Sequence, residues 1–474
     1  MSSSSQLQPV LDRIDADFDN SLTRLFALLR IKSISADPAF AGDCKAAADH
    51  LAKDIASLGF ATDVRPTAGH PAIVAKSNSK ADGKAHDGGR SHVLFYGHYD
   101  VQPVDPLNLW HRPPFEPVVT DHADGRKIIV ARGAEDDKGQ LMTFVEACRA
   151  WKSVTGSLPI DVTILIEGEE EIGSKNFVPF LEANKEELAA DFAMVCDTGM
   201  WDPNTPAITT SLRGLVYEEV KIKAASRDLH SGVFGGGARN PIRVLTYILG
   251  SLFEENGRIT IPGFYDGVKD VPPDILAQWK KLNLTPERFL QPIGLSIPAG
   301  EKDRLLIEQI TSRPTCDING IVGGYTGEGS KTVIPAEASA KISFRLVEGQ
   351  QPDKIRKAFR DYVTARLPGD CRAEFSDHSN APAIALDWNM KPLAAAKRAL
   401  TEEWGKETVL MGSGASIPIV ADFKRTLGLD TVLVGFGLED DNIHSPNEKY
   451  DLKSFHKGIR SWARILAALA EAPR

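Results

Sequence analysis

Apolar positions recur every three to four residues from about 6 to 31 and again over 44–59, the spacing of helices that bury one face. Shorter runs follow, "PAIVAK", "HVLFYGHYD", "VTILIEGE" and "DFAMVCD", rich in β-branched and aromatic residues and too short for helices. Between them 139–151 and 175–188 carry helical periodicity, and "SKADGKAHDGGRSH" reads as a polar surface loop. Strands alternating with helices predict an α/β domain, a sheet with helices on both faces.

From about residue 213 the pattern changes. "LVYEEVKIKAAS" and "ASAKISFRLV" alternate like half-exposed strands, and "NPIRVLTYILGSLFEE" and "DKIRKAFRDYVTARL" read as helices. Such segregation suggests an α+β unit. After "NAPAIALDW" the earlier style returns, with a helix over 391–404, the strand "TVLVGFGL" and a last helix from 453. The expected organisation is therefore an α/β domain over 1–212 and 383–474, interrupted by an inserted domain over 213–382. A chain of 474 residues is long enough for two cores.

Composition narrows the class. Hydrophobic content of 42% and charged content of 25% are those of a globular enzyme. A net charge of −9 with a pI near 5.7 argues against general nucleic-acid or acidic-membrane binding. No signal peptide or membrane-length apolar run is expected. Five scattered cysteines without a CxxC pair fit reduced thiols in a cytoplasm.

Several apolar strands end in metal-ligand residue types: His98 and Asp100 after "VLFYG", the glutamates of "TILIEGEEE", and Asp197 after "FAMVC". His444 follows the strand "TVLVGFGL", and the pair Asp136–Asp137 opens the helix near Lys138. Open α/β sheets bind ligands beyond the carboxyl ends of their strands, so these side chains can converge although distant in sequence. Two histidines with several carboxylates and no thiolate suit zinc, manganese or cobalt. A lone strand-end His or Asp is ordinarily a satisfied surface group; five such terminations are not readily explained that way.

The motifs "YGHYDVQP", "RGAEDDKG", "EGEEEIGS", "VCDTG", "DLHSGVFGG", "SFRLV" and "HSPNE" run in order across nearly the whole chain. Together they closely resemble the dinuclear-metal peptidases that include carnosinases, cytosolic nonspecific dipeptidase, glutamate carboxypeptidase and aminoacylase-1, with the long insertion resembling the dipeptidase branch. The resemblance implies a zinc-exopeptidase-like catalytic domain, with a mixed sheet and helices on both faces, and an inserted α+β lid and dimerisation domain. It implies two divalent ions per subunit, zinc or alternatively manganese or cobalt, with Asp136 bridging them. His98 and Asp197 would complete one site, Glu171 and His444 the other, and Asp100 would orient the His98 imidazole. In that register Glu170 is the general base acting on a metal-bridging water, and Glu169 a solvated or structural carboxylate. The Asp136–Asp137 bond would be cis.

From the inserted domain the resemblance draws His230, reaching across a homodimer to stabilise the oxyanion. It also draws Arg345, pairing with the free carboxylate of a small peptide substrate. Asn319 is a weaker candidate for a substrate hydrogen bond from the partner subunit. Relatives often carry R-E-G-G-S-I-P where this chain has "GSGASIP", 412–418, so Ser413 replaces a glutamate. Gly414 and Ser416 keep the pattern of a loop able to cradle a carboxylate. The expected activity is hydrolysis of dipeptides or short peptides with a free C-terminal carboxylate. An N-acyl-amino-acid amidohydrolase, which needs no substrate amine, is the alternative. A catalytically silent binding protein of the same fold is a third reading. "GYTGEGSKT" lacks the Lys placement and following helix of a phosphate loop, and neither HExxH nor GxSxG is present.

Overall fold

The structure is a computed structural model describing residues 3–77, 90–414 and 417–472. Most of the polar loop expected after "PAIVAK" lies outside the described residues. The chain divides into two compact units: Met1–Thr210 with Leu386–Met411 and Pro418–Arg474, and Ser211–Ala385 with Gly412–Ile417. The segment Gly412–Ile417, expected in the catalytic domain, thus groups with the inserted unit. There a Cβ on Gly412 would meet Ser211 Oγ and Thr311, and one on Gly414 would meet Arg213.

The first unit is built on a mixed sheet. Its strands run in the order Ala61–Arg65, Ala72–Lys76, Asp161–Glu167, His92–His98, Phe192–Val195, Thr431–Leu433 and Ala207–Leu212. The strands Asp161–Glu167, His92–His98, Phe192–Val195 and Thr431–Leu433 are mutually parallel, and each flanking strand pairs antiparallel with its neighbour. Period-2 alternation explains how helices cover both faces. Phe95 stacks on Phe144 of helix Lys138–Thr155, centroids 3.6 Å apart, and meets Trp462 of helix Leu452–Glu471. The next residue, Tyr96, points the other way, towards Phe177 and Phe423. Buried on both sides, each of these side chains contributes about 1.5–3 kcal/mol of burial.

The periodic stretch 6–31 is two helices, Ser3–Ala16 and Phe18–Leu29. The break falls at Asp17, whose carboxylate accepts hydrogen bonds from Asn20 and Arg24, a local competitor with helical pairing. The helix expected over 175–188 is shorter, Phe177–Ala183.

The second unit holds a four-stranded antiparallel sheet in the order Thr315–Gly323, Glu337–Leu346, Gly214–Lys223, Arg372–Ala381. Along Gly214–Lys223 burial alternates residue by residue, as the sequence pattern requires. The inner face packs Val216, Val220, Ile222 and Phe344 against Leu245 and Ile248 of Pro241–Gly250 and Phe359 of Pro352–Thr364. Glu218 is fully buried on this sheet, where Arg356 and Arg360 neutralise it at 2.7 and 2.8 Å.

Candidate metal centre and active site

Three parallel strands of the first unit deliver the candidate ligands from their carboxyl ends. His98 is the last residue of His92–His98. Strand Asp161–Glu167 runs into the short turn Glu170–Ile172, and Asp197 follows Phe192–Val195 by two residues. Asp136 lies just ahead of helix Lys138–Thr155, and the Asp136–Asp137 peptide bond is cis. His444 sits in the loop before Lys449–Asp451 with a left-handed backbone, φ 59°.

These residues form two sets that share Asp136. The potential ligand atoms of His98, Asp136 and Asp197 lie within 4.8 Å of one another, as do those of Asp136, Glu171 and His444. Asp136 Oδ1 is 3.2 Å from His98 Nε2, and its Oδ2 is 2.9 Å from His444 Nε2. Glu171 Oε2 lies 3.1 Å from the same His444 nitrogen. One carboxylate thus addresses both imidazoles through different oxygens, the geometry a bridging ligand needs.

The local electrostatics call for added positive charge. Burial pushes the carboxyls of Asp197, Glu170 and Glu171 up, and neighbouring Asp136 adds to each shift. Burial acts on Asp136 in the same direction, but His444 and His98 outweigh it and hold Asp136 below its ordinary range. Burial would lower His98, yet Asp100 and Asp136 drive it well up; His444 is raised to about 10, mainly by Asp136 and Glu171. Two imidazoles do not balance Asp100, Asp136, Glu170, Glu171 and Asp197. In addition, His98 Nε2, although 3.2 Å from Asp136 Oδ1, is buried without a well-directed hydrogen bond among the described residues, a costly state for a polar atom. Two divalent cations fit this donor set: they would occupy the orphaned nitrogen and offset the carboxylates. Cys196 is not a competing ligand, since its Sγ lies against Asp137 and burial keeps it a thiol.

The supporting residues are equally specific. His98 Nδ1 faces the Asp100 carbonyl oxygen at 3.1 Å, its hydrogen-bond partner, and the Asp100 carboxylate Oδ1 at 3.3 Å, acceptors that fix a ligand's tautomer. The same carboxylate accepts the backbone N–H groups of Glu170 and Glu171 at 3.3 and 3.1 Å, so it positions both glutamates. Glu170 itself makes no side-chain hydrogen bond among the described residues. Glu169 is not solvated: it is buried and accepts from Asn176 Nδ2 at 3.0 Å, while its carbonyl receives Ile172 and Ser174 N–H. It therefore builds the turn that presents Glu170 and Glu171.

Sequence reasoning missed two participants. Gln102 donates through Nε2 to Glu171 Oε2 at 2.8 Å. Glu448, the last residue of "HSPNE", is buried and accepts from Arg132 Nη1 and from the N–H groups of Gly133, Glu135 and Asp136, at 2.8, 2.8, 3.0 and 3.2 Å. It thus anchors the loop that carries the shared ligand. Their only sequence signal was membership of motifs already singled out. Phe115 packs with Ile34 and Val101, and Trp110 Nε1 donates to the Val104 carbonyl, so both brace the adjoining loop.

A family model, Peptidase family M20/M25/M40, matches residues 94–468. The chain belongs to this peptidase family. The Cys-Gly metallodipeptidase dug1 of Schizosaccharomyces pombe is 30% identical over 481 residues, covering 98% of each chain. Among solved structures, human carnosine dipeptidase 1 superimposes with a TM-score of 0.73 at 27% identity, over 98% of this chain and 99% of that one. The M20 family metallo-carboxypeptidase Sso-CP2 of Sulfolobus solfataricus gives 0.74 at 30%, over 95% and 99%. This protein is a metallopeptidase of the M20 family.

The remaining candidates of this M20 peptidase lie in the second unit. His230 ends the two-residue strand Leu229–His230 and is exposed; its Nδ1 accepts the Gly232 N–H at 3.0 Å, leaving Nε2 without a partner among the described residues. Asn319 is exposed where the register of Thr315–Gly323 slips between Ile318 and Gly320, the position of a bulge that re-aims a side chain. Arg345 is half-buried in Glu337–Leu346 and makes no hydrogen bond or ion pair among the described residues. The Gly414 carbonyl accepts from Arg213 Nε at 3.3 Å. Ser416 lies outside the described residues.

Proposed function

We propose that this M20 peptidase is a dipeptidase whose two divalent ions would share Asp136, His98 and Asp197 holding one and Glu171 and His444 the other. The nitrogen and oxygen donors favour zinc, with manganese or cobalt as alternatives. When bound, such ions polarise the scissile carbonyl and acidify the attacking water. Glu170 takes the water's proton and delivers it to the leaving amine nitrogen. The observation that carries this reading is the state of Glu170: its backbone is pinned by Asp100, its carboxylate makes no side-chain hydrogen bond among the described residues, and burial raises it above its ordinary range. A base tuned in that direction is suited to moving a proton near neutral pH.

Substrate recognition falls to the inserted unit in this reading. Arg345 pairs with the free carboxylate, while Asn319, Gly414 and Ser416 supply further hydrogen bonds. His230 of one subunit donates to the developing oxyanion in its partner. A homodimer has support in the edge strand Thr315–Gly323, which exposes Ile321 (53%) and Val322 (67%), and in Tyr247 (71%) on the neighbouring helix. We place the enzyme in the cytoplasm; all five cysteines are free and buried. Among the described residues no helix is long and apolar enough to cross a membrane.

The replacement of glutamate by Ser413 favours a second reading, hydrolysis of N-acyl amino acids, which carry no free amine to be held. A panel of dipeptides including Cys-Gly and β-Ala-His, run beside N-acetyl amino acids on enzyme reconstituted with zinc, manganese or cobalt, separates the two. Faster turnover of dipeptides is expected. Turnover of the N-acetyl compounds alone would reject the dipeptidase assignment.

A further inference from the structure

Arg213 stands one residue ahead of strand Gly214–Lys223, whose first residues pair Gly214 with Leu346 and Leu215 with Arg345. By alternation Arg213 falls on the same face as Leu215 and Arg345. This register places both arginines at one end of one sheet, near enough for the charge of Arg345 to act on Arg213. The charge of Arg345 and, more strongly, burial lower Arg213 to about 10. One carboxylate, Asp317, acts on Arg213 in the opposite direction, but weakly; it is exposed and lies 3.3 Å from Thr315 Oγ1.

The other shielded arginines of this unit show what is missing. Arg313 is matched by Glu301 at 2.6 Å, and Arg356 and Arg360 by Glu218. Among the described residues Arg213 has no such partner: Nε donates to the Gly414 carbonyl, and Nη1 is buried with no hydrogen bond. A buried guanidinium nitrogen left unpaired on a half-buried side chain is costly unless a ligand supplies its acceptor. The loop leaves room for this arrangement, since a Cβ on residue 414 would lie 2.9 Å from Arg213 Nη2. Ser413, next to Gly414, brings no carboxylate to the loop.

We propose that Arg213 and Arg345 together form a two-guanidinium anion cradle that selects peptides whose C-terminal residue carries a second carboxylate, aspartate or glutamate. The inference rests on the reading above, in which Arg345 receives the substrate's α-carboxylate. Arg345 alone answers that single charge, and Arg213 answers the side-chain carboxylate. Guanidinium suits both tasks because it binds carboxylates in a planar, two-pronged fashion.

The test uses the metal-loaded enzyme with isosteric pairs, Ala-Asp against Ala-Asn and Ala-Glu against Ala-Gln. The wild type should favour the acidic member by about tenfold or more in kcat/KM, carried by KM, equivalent to about 1.4 kcal/mol. Arg213→Gln should bring that ratio close to one, and Arg213→Lys, which keeps a charge but not the fork, should retain part of it. Arg345→Gln should raise KM for all four substrates. A wild-type ratio at or below one overturns the proposal, as does an unchanged ratio in Arg213→Gln. Should Arg213→Gln not fold, the wild-type ratio and Arg213→Lys still decide. An Arg345→Gln enzyme with unaltered KM for Ala-Gln would instead reject the carboxylate role of Arg345, a distinct failure.

Discussion

Replacing Glu448 tests whether the catalytic loop is held from behind as the geometry indicates. In Glu448→Ala the N–H groups of Gly133, Glu135 and Asp136 lose their common acceptor, and buried Arg132 loses the one carboxylate it pairs with among the described residues. A stranded buried donor costs about 1–3 kcal/mol, but neighbours sharing one acceptor do not add fully. Breaking a buried ion pair from one side costs about 3–5 kcal/mol, and this figure is the expected destabilisation. Glu448→Gln keeps one acceptor oxygen and should lose roughly half as much. Because Asp136 is the ligand shared by both candidate sites, metal affinity should fall about 10- to 100-fold in the alanine variant. Urea unfolding of the metal-loaded protein, with metal retained after gel filtration, reads both effects. An alanine variant with wild-type unfolding and wild-type metal content would refute this reasoning.

Three further outcomes follow from contacts elsewhere. A Cβ at position 97 would stand 2.8 Å from Asp137 Oδ2 and 3.1 Å from Leu141, so Gly97→Ala should displace the neighbour of His98 and lower metal affinity while circular dichroism stays native. Gln102→Leu removes the donor to Glu171 and should weaken metal binding about tenfold, measured by competition with a chromogenic chelator. Burial raises Glu403, but Arg460 and Arg464 outweigh it and depress its carboxyl, so its stabilisation is complete above the unfolded value near 4.5 and fades as pH falls through the lower folded value. The stability gap between wild type and Glu403→Gln should therefore be constant above about pH 5 and shrink in acid; a gap that widens in acid would show the sign to be wrong.

The sequence was informative where burial and periodicity act locally. Strands such as "HVLFYGH" and "VTILIE" are continuous apolar runs because helices cover both sheet faces, and their polar terminations mark the ends where ligands gather. The separate roles proposed for Glu169, Glu170 and Glu171 come from motif register, yet burial of Glu169 does not, because its partner Asn176 lies across a turn. Glu448 and Gln102 were invisible as participants for the same reason. Their partners are backbone groups or side chains 69 to 316 residues away, and no local pattern encodes such a bond. The break at Asp17 depended on side chains competing for a backbone that otherwise has helical spacing. Grouping of Gly412–Ile417 with the inserted unit rests on packing against Arg213 and Thr311, contacts between segments about a hundred or more residues apart.

The central claim is that Glu170 moves the proton while its neighbour Glu171 binds metal. Steady-state hydrolysis of a dipeptide by Glu170→Gln, measured with metal content on the same sample, tests it most directly. The account predicts full metal occupancy with turnover reduced about 10²- to 10⁴-fold, the usual contribution of a positioned acid–base group. Turnover within a few-fold of wild type at full occupancy, or loss of the metal itself, would contradict it.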